Sequence, residues 1–128
     1  MKIYGFGVDL VNIDRIKKTI KRNKGFKTRI FSKQEILDCE RKKNIFSCFA
    51  KKYAAKEAFS KALGTGISKG LSFNEIEILN NKKGKPLINL RKKTKLVTKT
   101  IIKNKTFKCF VTISDEQPFA LAAVIISK

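Results

Sequence analysis

The chain has 128 residues, 30 of them Lys or Arg and 10 Asp or Glu, for a formal charge of +20, with no histidine and no tryptophan. That length suits one domain with one core, residues 1–128 without a boundary, and 42% apolar residues is too many for a disordered basic tail. The missing imidazole excludes Ser-His-Asp and Cys-His nucleophiles and histidine zinc sites, so any catalysis must come from carboxylates, lysines, backbone and metal ions.

In chain order, residues 3–10 alternate as a strand, with Ile3, Gly5, Gly7 and Asp9 on one face and Tyr4, Phe6, Val8 and Leu10 on the other. A helix is predicted over 12–22, its inner stripe Ile13, Ile16 and Ile20, and Gly25 breaks it. Ser32 and Glu35 have capping-box spacing and open a helix to about Lys42, with Ile36 and Leu37 inward. The longest periodic stretch runs from Ile45 to Leu63 and stops at Gly64-Thr65-Gly66. A strand over 73–79, a turn to Pro86 and a return strand over 87–90 follow, then a basic helix from Arg91 to about Lys103. Residues 107–114 and 119–127 form a last hairpin, and the run FALAAVII is apolar on both faces, so both should be covered. These elements predict a compact α+β domain, a mostly antiparallel sheet packed on a long central helix.

Cys39, Cys48 and Cys109 are odd in number and lack CxxC spacing, which points to small buried residues in a reducing compartment rather than to a disulfide. No segment reaches the roughly 18 consecutive apolar residues of a membrane span, and the N-terminus lacks a signal-peptide apolar block, so a cytoplasmic protein without a membrane association is expected. The charge favours an anionic partner without choosing one. Codon bias towards Lys, Ile and Asn accounts for part of it.

With so few acids, their placement is informative. At 100° per residue, Phe46, Phe49, Ala50, Tyr53 and Glu57 gather on one side of the long helix, so Glu57 lies on an apolar stripe, where a carboxylate needs a cation, a metal or hydrogen bonds. An i, i+4 pair with Lys61 is the plain structural explanation. Asp9 ends a strand on its glycine face; its plain role is to cap the next helix. Together the two carboxylates could hold one Mg²⁺, which takes a couple of carboxylates plus water and phosphate oxygens. Lys61, the backbone N–H groups of Gly64, Thr65 and Gly66, and the stiff turn Gly84-Lys85-Pro86 are phosphate-contact candidates. The combination suggests Mg²⁺-dependent chemistry on a phosphorylated substrate.

At these residues the chain resembles the bacterial holo-acyl-carrier-protein synthases of the 4′-phosphopantetheinyl transferase family. The resemblance is carried by Gly5 to Ile16, by Lys52-Tyr-Ala-Ala-Lys56-Glu57-Ala-Phe-Ser-Lys61-Ala-Leu-Gly64-Thr-Gly66, by Leu71 to Phe73 with Glu75 to Ile78, by Gly84-Lys85-Pro86 and by Val111 to Ser114. It implies that family's fold and the transfer of 4′-phosphopantetheine from coenzyme A to a serine of an apo acyl carrier protein, releasing adenosine 3′,5′-bisphosphate, for fatty acid biosynthesis. It also implies Mg²⁺ held by Asp9 and Glu57 against the coenzyme A diphosphate. Glu57, or a water it orients, would take the serine proton, and Lys61 would balance phosphate charge or protonate the leaving group. Lys52, Lys61, Gly64, Thr65, Gly66, Gly84, Lys85 and Pro86 would contact coenzyme A. Arg15, Arg22 and Phe26 would meet the acidic carrier. A homotrimer with coenzyme A between subunits is implied too, which would cover one face of the last strand. Three positions depart from the family pattern: Phe110 replaces a frequent histidine, Lys52 replaces an arginine, and Gly25 replaces a basic residue. A basic RNA-binding module is the alternative, although no RNA-recognition motif is present and no nucleic-acid partner is expected.

Overall fold

The structure, a computed structural model, describes all of residues 1–128. Strand β1 (Ile3–Asn12) leads into helix α1 (Ile13–Arg22), followed by the short helix α2 (Phe26–Ile30), α3 (Lys33–Glu40) and the 19-residue α4 (Ile45–Leu63). A single 3-10 turn (Phe73–Glu75) precedes the hairpin β2 (Ile76–Asn80) and β3 (Pro86–Leu90). Helix α5 (Lys92–Ile102) and the hairpin β4 (Lys108–Glu116) and β5 (Phe119–Ser127) complete the chain. The result is the α+β domain that the sequence predicts: an antiparallel sheet in the order β1-β5-β4 and a two-stranded β2-β3 sheet, arranged around α4.

Period-two alternation gives the three-stranded sheet one inner and one outer face. Pairing sets Gly7 opposite Val124 and Asp9 opposite Ala122, with Val111 opposite Val124 on the other side. This face lies on α4, and Ala120, Ala122, Val124 and Ile126 are buried there. Gly5 and Gly7 make the contact possible. A Cβ on Gly5 would overlap the Ala62 carbonyl, and one on Gly7 the Ala58 carbonyl, so β1 lies flat along the small residues of α4. Glycine is required at both positions for this close approach.

The structure corrects several details. The first helix begins one residue later than expected, because Asn12 is its cap and accepts from the Arg15 N–H at 3.1 Å. Residues after Gly25 form α2 rather than a plain break. The capping box at Ser32 and Glu35 is present, but Leu37 is exposed and α3 turns Glu35 and Cys39 inward. A buried carboxylate there is possible because Glu35 Oε1 pairs with Lys56 Nζ at 2.7 Å and Oε2 accepts from the Ile78 N–H at 2.9 Å. Residues 73–75 form a turn instead of a strand start, since Glu75 accepts from both the N–H and the hydroxyl of Thr94. Cys39 and Cys48 are joined in a disulfide across the α3–α4 connection, with Cα atoms 5.4 Å apart, while Cys109 is free. The fold brings the two cysteines together, which their spacing did not indicate. Finally, the outer face of β5 is not covered within one chain: Phe119 and Leu121 stay exposed, and only the inner face is buried.

Candidate active site

Asp9 reaches α4 because it shares the glycine face of β1, and Asn12 relieves it of any capping duty. Its Oδ1 accepts from Lys61 Nζ at 3.1 Å, and the same ammonium donates to the Val8 carbonyl at 3.0 Å. Lys61 therefore pairs with Asp9 across elements, and the expected i, i+4 pair with Glu57 does not form. The donor to Glu57 is instead the Tyr53 hydroxyl, 3.2 Å from Oε1 and one helical turn earlier. Sequence reasoning placed Tyr53 on the same stripe but gave it no role at the site.

Both carboxylates are sheltered and neither is fully satisfied by the protein. One oxygen of each, Oδ2 of Asp9 and Oε2 of Glu57, receives no protein donor, yet no buried side-chain oxygen in the chain lacks a partner, so both oxygens meet solvent. Burial pushes the Glu57 carboxyl above its ordinary value, and the Asp9 charge adds to this, while the Tyr53 hydroxyl and the Lys61 ammonium work against it. Burial and the same carboxylates push the Tyr53 hydroxyl up to about 12, so it remains a donor at neutral pH. Two sheltered carboxylates with one free oxygen apiece, and a lysine on Asp9 alone, are donors of the kind that a hard divalent cation takes alongside water and phosphate. No third His, Cys, Asp or Glu joins them.

The loop after α4 differs from expectation. Gly64 is the left-handed cap at φ 90°, and the N–H groups of Gly64, Thr65 and Gly66 all turn back to the Ser60 carbonyl. These donors close the helix end and do not point outwards for a phosphate. The loop offers open space instead: a Cβ on Gly64 or Gly66 would meet nothing within 4 Å.

The other candidate residues form a second group. Lys52 is buried and donates to the Ile78 carbonyl, and burial lowers its pKa despite the Glu35 and Asp38 carboxylates. It lines a cavity of about 490 Å³ together with Lys42, Lys43, Lys51, Gly84 and Pro86. The sequence places Lys42 at the end of one predicted helix and Lys51 within the long one, but gives Lys42, Lys43 and Lys51 no role at a site. Lys85 faces a different, mostly apolar cavity of about 480 Å³ with Phe6, Pro86, Leu87 and Phe110. Counting 100° per residue, Lys52 and Glu57 diverge around α4, so one chain splits the predicted set into a carboxylate cluster and a basic cavity. A further cavity of about 610 Å³ near Lys33 and Arg91 has charges of both signs that satisfy one another, with Ser32 Oγ donating to Glu77 at 2.6 Å and Arg91 3.8 Å from it.

Arg15 and Arg22 are exposed on α1, seven positions apart and so on one face. Phe26 is half-buried, its ring 6.2 Å from that of Tyr53, whose hydroxyl donates to Glu57.

Residues 5–124 match the model of the ACPS family, the 4′-phosphopantetheinyl transferase superfamily. The chain belongs to this superfamily. The holo-[acyl-carrier-protein] synthase of Pelagibacter ubique is 44% identical over 128 residues, covering 100% of this chain and 99% of its own. That of Buchnera aphidicola is 43% identical over 132 residues, with both chains covered completely at 100%. Among solved structures, the Neisseria meningitidis synthase superposes with a TM-score of 0.85 at 34% identity, covering 98% of this chain and 99% of that one. The Helicobacter pylori synthase, solved in complex with coenzyme A, gives 0.80 at 39% identity, covering 95% and 99%. The superfamily fold is thus the fold of this chain.

Proposed function

We propose that the chain transfers 4′-phosphopantetheine from coenzyme A to a serine of an apo acyl carrier protein, yielding the holo carrier and adenosine 3′,5′-bisphosphate in support of fatty acid biosynthesis. Full-length similarity to synthases supports this activity, and it leaves the RNA-binding alternative without support. The observation that carries the mechanism is the pair of free carboxylate oxygens on Asp9 and Glu57 beside Lys61.

In this reading Asp9 and Glu57 hold Mg²⁺, which when bound neutralises charge on the coenzyme A diphosphate. The carrier serine oxygen forms a bond to the β-phosphorus as the bond to the adenosine 3′,5′-bisphosphate oxygen breaks. Glu57, or a water it orients, would receive the serine proton. Lys61 sits beside Asp9 to balance the leaving phosphate. Such transfer depends on positioning and charge neutralisation more than on covalent help from the protein.

Lys42, Lys43, Lys51 and Lys52 would bind the phosphates of coenzyme A in the cavity that Gly84 and Pro86 help to line, and Lys85 the adjoining segment. The loop at Gly64, Thr65 and Gly66 leaves room at the end of α4. Since one chain parts the basic cavity from the carboxylates, a site completed between subunits of a homotrimer accounts for both. The outer sheet face suits that assembly: Phe6, Ile125 and Phe110 form one row across the strands and Leu10 pairs with Leu121, with Phe6 and Leu10 each 60% exposed. Arg15, Arg22 and Phe26 would receive the acidic carrier, whose encounter the positive α1 face speeds.

The test is to mix the protein with apo carrier, coenzyme A and Mg²⁺ and weigh the carrier by mass spectrometry. Phosphopantetheine should appear on the carrier, vanish with EDTA, and fall by orders of magnitude in Asp9→Asn and Glu57→Gln. Full modification in both variants would discard the site.

A further inference from the structure

Tyr53 stands out among the groups that the transfer reaction leaves unused. Its hydroxyl is the one protein donor to the Glu57 carboxylate, on Oε1 at 3.2 Å. Its ring is fixed from two sides: Phe73 stacks on it with centroids 5.6 Å apart and planes 17° from parallel, and Phe26 lies 6.2 Å away. A ring held in this way cannot swing its hydroxyl off the carboxylate without disturbing both neighbours. The opposite i+4 partner, Lys61, is committed to Asp9 and the Val8 carbonyl and does not substitute.

We infer that Tyr53 is a positioning residue for the cation site: its hydroxyl occupies Glu57 Oε1, fixes the rotamer and presents Oε2 towards the oxygen that Asp9 leaves free. This rests on the reading of Asp9 and Glu57 as the metal ligands. Hydrogen bonds to ligating carboxylates set ligand orientation, and their loss commonly costs 10- to 100-fold in metal affinity or activity. A purely packing role for Tyr53 would leave metal affinity unchanged when the hydroxyl alone is removed. Phenylalanine keeps the ring, and with it the Phe26 and Phe73 contacts.

The test is a Mn²⁺ titration followed by the electron paramagnetic resonance of the free ion, with coenzyme A at constant excess and a protein-free control. Wild type, Tyr53→Phe, Asp9→Asn and Glu57→Gln are compared, with circular dichroism to check folding. Tyr53→Phe is expected to bind Mn²⁺ about 10-fold more weakly, and its metal requirement for half-maximal transfer should rise more than kcat falls. Wild-type Mn²⁺ affinity in Tyr53→Phe, with binding lost in Asp9→Asn and Glu57→Gln, overturns the role of Tyr53 and leaves the metal site standing. Undiminished binding in Asp9→Asn and Glu57→Gln overturns the metal site itself, and the role of Tyr53 with it.

Discussion

Glu57 is costly where it sits, and the cost has a measurable sign. Burial raises its pKa in the fold, so the neutral carboxyl is the form that folding favours. A carboxyl raised in this way contributes stability that is present below its unfolded value and disappears as pH climbs through the folded value. Glu57→Gln should therefore melt at a higher temperature than the wild type at neutral pH in EDTA, and the difference should shrink as the solution is acidified. Differential scanning calorimetry across pH checks this; a variant less stable than the wild type at neutral pH contradicts it. Glu57 could be singled out from sequence because a helical stripe exposes a misplaced acid. Its donor could not: Lys61 goes to Asp9 because of where β1 lands, and Tyr53 is left to serve Glu57.

Among the elements, α4 organises everything else. Its bounds follow from periodicity and a glycine stop, and both agree with the structure. The two sides of the helix were less legible. Lys56 looks like an ordinary surface lysine in sequence, yet it is fully buried, pairs with Glu35 and donates to the Phe73 and Ile76 carbonyls at 2.8 and 2.6 Å. Burial brings it down to about 8 even against the Glu35 charge. Partnerships between acids and lysines in distant segments leave no periodic trace. Lys56→Met strands the Glu35 carboxylate and should cost about 3–5 kcal/mol in urea denaturation; a cost near zero would mean that Glu35 finds another donor. The contact between α4 and β1 gives a second element-level prediction. Gly7→Ala pushes a methyl into the Ala58 carbonyl, so it should lower stability by about 1–3 kcal/mol and cut transfer further by moving Asp9. Unchanged activity and stability would show that β1 does not depend on this approach.

For the whole molecule, the sequence carried the fold class and the family, since both rest on patterns spread over the full chain. It did not reveal that the basic candidates line a cavity away from the carboxylates, whereas the open apolar face of the last strand agrees with the subunit contact that the resemblance implies. Phe6, Leu10, Phe110, Phe119 and Leu121 are exposed on that one sheet face, and no helix of the chain is long and apolar enough to cross a membrane. The proposed homotrimer would cover this sheet face. Leu10→Asp is expected to turn a trimer into monomers in sedimentation velocity and to abolish transfer, with the α+β circular dichroism spectrum retained. A monomeric wild type with full activity would contradict the shared site.

In the proposed site Asp9 and Glu57 grip one divalent ion. Crystals of the protein grown with coenzyme A and Mn²⁺ test it through the anomalous signal of the metal. A single peak in direct contact with an oxygen of Asp9 and an oxygen of Glu57, against the diphosphate, is the predicted result. A peak bound by one of them alone, or seated elsewhere, would contradict it.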